Sequence, residues 1–391
     1  MCERLTPLPD FWESALQDWQ AKGRLRHLEP LQAPAEGSGI CYAESGEPLL
    51  SFASNDYLGL ASDPSLRAAA EAELRRSGVG AGSAPLLGGE RPVHAQLARA
   101  LAEWLGTESV LLFGSGYLAN LGVLPALASP GDRIYLDRLA HASLIDGARL
   151  SGARFRRFRH NDPEHLEQLL RKGGAGRPWI VTEGIFSMDG DVAQLPELVE
   201  LAARFGAGIV LDEAHSFGVL GDGGRGTVVH WRLPEAAVPV RMGTLGKAFG
   251  CYGAFVAGSR PLIQWLVQKA RTFVYHTGLP PAVAAASLRA LELLRQGEDR
   301  RQHLRVLEQR LRMQLPGMPW LPGGTPIQGL VLGSNARAME AAARLRQNGI
   351  YCPAVRPPTV PEGQARLRIS LSAAHRVEDV DRLATTLAAV A

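Results

Sequence analysis

The chain has 391 residues, 46% of them hydrophobic and 21% charged, with a formal net charge of +3. That length suits two packed lobes sharing a large core rather than one small domain. The charge gives no argument for nucleic acid or a membrane surface as partner, and no apolar run is long enough to span a bilayer.

The start, MCERLTPLPDFW, has no apolar stretch of the secretory type, which points to the cytoplasm. Cys2, Cys41, Cys251 and Cys352 form no CxxC pair, so reduced thiols are expected and no metal site is read. An amphipathic helix is expected over 10–22, then short extended pieces at 39–43 and 49–53. From residue 63 helix-like and strand-like segments alternate. Periodic Leu and Ala mark helices at 64–76 and 91–106. Apolar runs then follow at SVLLF, RIYLD, FRRF, WIVTEG and GIVLD, separated by helical patterns, with VRMGTL and YGAFVAG later. This order predicts an α/β fold with a mainly parallel sheet covered on both faces. After Leu279, Pro280 and Pro281 come two long helical patterns, a strand at 326–332, a helix, a strand at 366–371 and a last helix. The expected division is an N-terminal arm over 1–50, a large domain over 51–285 and a small α/β domain over 286–391.

GIVLDEAHSFG at 208–218 ends a buried strand by delivering Asp212 and His215 to its carboxyl end, where sites form in such folds. Read as a DEAH nucleotide-binding box, it would require a GxxxxGK[ST] loop upstream. None is present, and in GTLGKAFG at 243–250 Ala248 stands where a metal-binding hydroxyl is needed. The same segment places Lys247 among small neighbours that leave room for a planar ring. A lysine that forms a Schiff base, with an aspartate to pair with a pyridinium nitrogen, is the minimum equipment for pyridoxal phosphate. GSGYLANLG at 114–122 follows a strand and opens a helix, so its free N–H groups suit a phosphate. His141, in LAHASLIDG, stands at a helix start where it either serves structure or stacks on a ring.

With SNDYLGL, FGSGYLANLG, HASLIDGARLSGA, EGIFSMDGD, DEAHSFG, GTLGKAFG, TGLPPA and RPPTVP in this order, the chain resembles the α-oxoamine synthases. These are fold-type I pyridoxal-phosphate acyltransferases. The resemblance implies that Lys247 is the Schiff-base lysine, that Asp212 pairs with the pyridine nitrogen and that His215 bonds the ring's phenolic oxygen. It further implies that His141 stacks on the ring and Ser187 contacts its phenolic side, while Thr244 and the Gly116–Tyr117 backbone hold phosphate. Arg26, Asn55 and Arg368 match substrate-side positions, with Arg368 rather than Arg366 as the carboxylate clamp. A homodimer is implied, each site borrowing Thr277 from the other subunit. Segments 141–153 and 355–368 look most like the member that joins L-alanine to a pimeloyl thioester with loss of carbon dioxide in biotin biosynthesis. The thiol carrier, coenzyme A or acyl carrier protein, stays open, as does a relative using glycine and acetyl-CoA. Two departures stand out: Gly278 where relatives carry a hydroxyl, and an atypical SGVGAGSAPLLGGE at 77–90.

Overall fold

A computed structural model describes residues 8–32, 39–42 and 46–390. The chain start with Cys2, and position 43 at the end of the first expected extended piece, lie outside them. The strands in chain order are β1 (Leu31–Gln32), β2 (Gly39–Tyr42), β3 (Pro48–Ser51), β4 (Ser109–Phe113), β5 (Arg133–Asp137), β6 (Arg154–Phe158), β7 (Pro178–Glu183), β8 (Gly208–Asp212), β9 (Val240–Thr244), β10 (Ala254–Gly258), β11 (Ile327–Gly333), β12 (Ile350–Tyr351), β13 (Ala354–Val355) and β14 (Ala365–Ser370).

Seven of these form the main sheet, in the order β4-β10-β9-β8-β7-β5-β6. Pairings from β6 through β9 are parallel, as the alternation of elements predicts. β10 runs against both β4 and β9, so those two point the same way. The carboxyl ends of β4, β5, β7, β8 and β9 therefore share one edge.

Side-chain alternation splits each central strand between two layers. In β8, Val210 packs with the helices Gly116–Leu127 and Arg260–Lys269, while Ile209 and Leu211 pack with Pro163–Arg171 and Leu195–Phe205. Local chemistry starts these helices. Asp162 accepts the N–H of His165 ahead of Pro163, and Ser115 accepts that of Leu118.

The C-terminal part carries a three-stranded antiparallel sheet, β11-β14-β13. The expected division after residue 285 falls inside one continuous helix, Pro281–Gln296, which packs on Pro64–Ser77. The arm also joins the small lobe: β3 pairs with β12, the N–H of Ser370 donates to Phe52 O at 2.8 Å, and that of Ala373 to Tyr57 O at 2.7 Å. Residues 52–57 are thereby laid against the end of β14, which carries Arg368.

Candidate active site

Lys247 leaves the sheet three residues past the end of β9. Buried Leu245, Ala248 and Phe249 pin the turn, and the N–H of Gly250 closes it on Lys247 O at 2.8 Å. The Lys247 Nζ lies 2.7 Å from His215 Nε2. Burial pulls this amine down to about 8, against the carboxylates of Asp212 and Glu183, with the Arg368 charge adding to the fall. An amine so placed is far more available as a nucleophile or base than a solvated lysine.

His215 is buried and lies 2.6 Å from the Tyr57 hydroxyl through Nδ1. Burial, then the charges of Lys247 and Arg368, hold its pKa well below the usual imidazole range. The Tyr57 O–H donates to Asn55 Oδ1 at 3.2 Å, and Arg368 Nη2 donates to the same oxygen at 3.1 Å. This bonding assigns the His215 proton to Nδ1, leaving Nε2 to accept from Lys247. One hydrogen-bonded line thus joins Lys247, His215, Tyr57, Asn55 and Arg368. Burial raises the Tyr57 phenol to about 12, so it stays neutral.

Asp212 ends β8 and accepts from Asn120 Nδ2 at 2.8 Å and from the Ala214 N–H at 2.9 Å. Asn120 also donates to Ser143 Oγ at 2.9 Å, while its buried Oδ1 has no partner. Glu183 ends β7 directly opposite Asp212. Its buried carboxyl is pushed well up by burial and by Asp212, and it accepts the His141 N–H at 2.7 Å. His141 caps the helix Ala142–Leu150 and keeps an exposed ring.

Gly116 opens its helix beside the end of β9: a Cβ there would lie 3.5 Å from Met242 Cε and 3.9 Å from Thr244 Cβ. The Ser115 cap reaches only Leu118, so the first-turn N–H groups of Gly116 and Tyr117 project from the helix end. The Thr244 hydroxyl donates to Gly253 O at 3.0 Å and accepts the Gly246 N–H at 3.1 Å. Tyr117 donates its hydroxyl to Asp146, and its ring stands edge-on to His141 with centroids 6.5 Å apart.

The two arginines of β14 part company. Arg366 Nη1 is committed to Asp189. Arg368 donates from Nε to Ser187 O at 2.6 Å, from Nη1 to Ser370 Oγ at 2.7 Å and from Nη2 to Asn55. Of its five N–H groups two are left for a ligand. Arg26 sits away from this cluster, donating to Thr359 Oγ1 at 2.9 Å. Thr277 is exposed.

Sequence reasoning assigned no part to Tyr57, Asn120, Ser143 or Glu183. All four lie inside the motifs already quoted, which was the available signal.

A reactive lysine amine, a carboxylate at a neighbouring strand end, an unpartnered buried amide oxygen and an open cradle at Gly116 fit a phosphorylated pyridine aldehyde. Fold and site define a pyridoxal-phosphate-dependent enzyme of fold type I. A family model for aminotransferase class I and II matches residues 47–387. An 8-amino-7-oxononanoate synthase from Acidithiobacillus ferrooxidans is 60% identical over 97% of each chain. Among solved structures, a serine palmitoyltransferase variant from S. paucimobilis holding PLP linked to myriocin superposes with a TM-score of 0.92 at 28% identity, over 99% of this chain and 98% of that one. An 8-amino-7-oxononanoate synthase from Francisella tularensis gives 0.77 at 30% identity, over 87% and 97%. The chain belongs to the aminotransferase class I and II family and, within it, to the 8-amino-7-oxononanoate synthases.

Proposed function

We propose that this chain condenses L-alanine with a pimeloyl thioester, forming a bond between the alanine α-carbon and the acyl carbonyl carbon. The thiol leaves, the α-carboxyl departs as carbon dioxide, and 8-amino-7-oxononanoate results, an intermediate on the way to biotin. The observation that carries this reading is the line from Lys247 to Arg368, which sets a base at one end and a carboxylate clamp at the other.

Pyridoxal phosphate, when bound, supplies an electron sink for charge released at the α-carbon. Lys247 Nζ would hold the coenzyme at its aldehyde and, as a free amine, would serve as the base for the α-proton. Asp212 keeps the pyridine nitrogen protonated; an opposite charge at contact range is worth about 1–3 pKa units, or roughly 1–4 kcal/mol. Once Lys247 no longer donates to it, His215 would take the other tautomer, with the proton on Nε2 toward the phenolic oxygen and the Tyr57 hydroxyl donating to Nδ1; Ser187 would lie on the same side, and His141 would cover the ring face. Gly116, Tyr117 and Thr244 receive the phosphate, Thr244 by turning its proton away from Gly253 O. Arg368 grips the alanine carboxylate with its two remaining N–H groups, with Asn55 beside it. Arg26, on the segment facing the 356–361 loop, stands toward the acyl substrate. The active form is a homodimer in which Thr277 of each subunit completes the other's phosphate site, working in the cytoplasm. Among the described residues no helix is long and apolar enough to cross a membrane.

The test is a spectral titration of the coenzyme-loaded protein with alanine, glycine and serine, each followed by pimeloyl thioester on coenzyme A or on acyl carrier protein. Carbon dioxide release with alanine and pimeloyl thioester alone is expected. Release with glycine and acetyl-CoA instead would replace this reading with that of a 2-amino-3-ketobutyrate ligase. Lys247→Ala is expected to lose both the coenzyme's imine absorption and product; undiminished turnover would remove the scheme.

A further inference from the structure

Residues 184–193 leave β7 and cross to the small lobe. The crossing is tight: a Cβ on Gly190 would lie 2.1 Å from Ile327 O, and Thr325 Oγ1 donates to Gly190 O at 2.7 Å. Within it the Phe186 N–H donates to Asp191 O at 3.0 Å, and the Gly190 N–H to Phe186 O at 2.9 Å. The turn so made carries two carboxylates, each tied to a different lobe. Asp191 accepts from His160 Nε2 at 3.0 Å and Asn161 Nδ2 at 2.9 Å on the main-sheet side. The other His160 nitrogen lies 3.0 Å from Asp137 Oδ1 at the end of β5. Asp189 is bound by buried Arg366 of β14.

His160, Asp189 and Asp191 offer ligand atoms within 4.8 Å of one another. Each has a protein partner of opposite charge or hydrogen-bonding type, although the buried Oδ1 of Asp191 has none. Ser187 lies within the turn that Phe186 closes on Gly190 and Asp191, two residues before Asp189, and its carbonyl accepts from Arg368 Nε at 2.6 Å. Arg366 and Arg368 are two residues apart on β14 and share a face, so both reach the same loop.

We infer that Asp189 and Asp191 are positioning residues for the substrate-carboxylate clamp. Held by Arg366 and His160, they fix residues 186–191 so that Ser187 O sets the orientation of the Arg368 guanidinium. A bidentate grip tolerates little rotation, so a loosened loop weakens alanine binding more than it weakens the coenzyme, which Ser187 meets as one contact among several. This inference rests on the reading of Arg368 as the clamp.

The experiment compares Asp189→Asn, Asp189→Glu, Asp191→Asn and Arg368→Lys in the coenzyme-loaded enzyme. It reads KM for alanine, KM for the thioester, kcat, coenzyme affinity and melting temperature. Asp189→Asn and Asp191→Asn are expected to raise the alanine KM about tenfold, about 1.4 kcal/mol. The thioester KM and coenzyme affinity stay within about twofold, and Asp189→Glu recovers most of the loss. Should Asp191→Asn fail to fold, Asp189→Asn decides alone. An unchanged alanine KM in Asp189→Asn, beside a raised one in Arg368→Lys, overturns the inference and spares the clamp. An unchanged alanine KM in Arg368→Lys removes the clamp itself, and the inference with it.

Discussion

Glu183 and Asp212 show how neighbours of one chemical type divide their work. Two carboxyls at adjacent strand ends beside one lysine do not ionise independently. Asp212 accepts the N–H groups of Asn120 and Ala214, whereas Glu183 is buried and pushed well up by burial and by Asp212. Glu183→Gln therefore keeps an acceptor for the His141 N–H and is expected to retain kcat within about threefold. On the proposed pairing of Asp212 with the pyridine nitrogen, Asp212→Asn is expected to lower kcat by at least about tenfold. Steady-state rates on the two loaded variants check the contrast; equal losses would put the charge on the wrong carboxyl. His160 gives a pH effect of known sign. Burial opposes its proton, but hydrogen bonds to Asp137 and Asp191 raise it to about 10, against an ordinary 6.5. Its contribution to stability is thus whole below about 6.5 and is lost as pH rises through about 10. Melting curves of wild type and His160→Gln are expected to lie furthest apart at low pH and to converge toward pH 10.

Among elements, the two departures from the family pattern turn out to touch. The Gly278 N–H donates to Ser83 O at 2.9 Å. A Cβ on Gly278 would lie 3.1 Å from Gly89 O and 3.2 Å from Ala81 Cβ. The path of 77–90 thus occupies the room a side chain at 278 would take. Restoring a hydroxyl by Gly278→Ser without changing the loop is expected to destabilise by roughly 1–3 kcal/mol, read as a lowered melting temperature; a rise would show that the loop yields freely. Such a fit was not legible in the sequence, where the two stretches stand nearly 200 residues apart. What was legible was local. Alternating apolar runs announced the parallel strands, and periodic Leu and Ala announced the helix that runs Pro64–Ser77. The direction of β10 was not, because an apolar run reads the same in either sense. Tyr57 and Asn120 were printed inside quoted motifs, yet their partners lie 158 and 92 positions away. Only folding brings a phenol to an imidazole, or an amide to a carboxylate, over such separations.

At the scale of the whole molecule, exposed apolar side chains on the stretches around Thr277 support the proposed dimer. Val79, Leu87 and Tyr275 are 80%, 78% and 74% exposed, on the same two stretches that meet at Ser83 and Gly278. Contiguous exposed apolar side chains on a soluble chain mark a contact surface, and a two-fold dimer buries such a patch against its own copy. If Thr277 acts in the partner's site, Lys247 and Thr277 of one working site belong to different chains. Lys247→Ala and Thr277→Ala are each expected to be impaired as homodimers. In an equal mixture refolded together, half the dimers are mixed, and each of these holds one site with both residues intact and one with neither. Activity per chain should then reach about a quarter of wild type, above the average of the two parents. A mixture that never exceeds that average, while sedimentation shows dimers, would place Thr277 outside the shared site and leave the phosphate to the Gly116 helix end and Thr244 of a single chain.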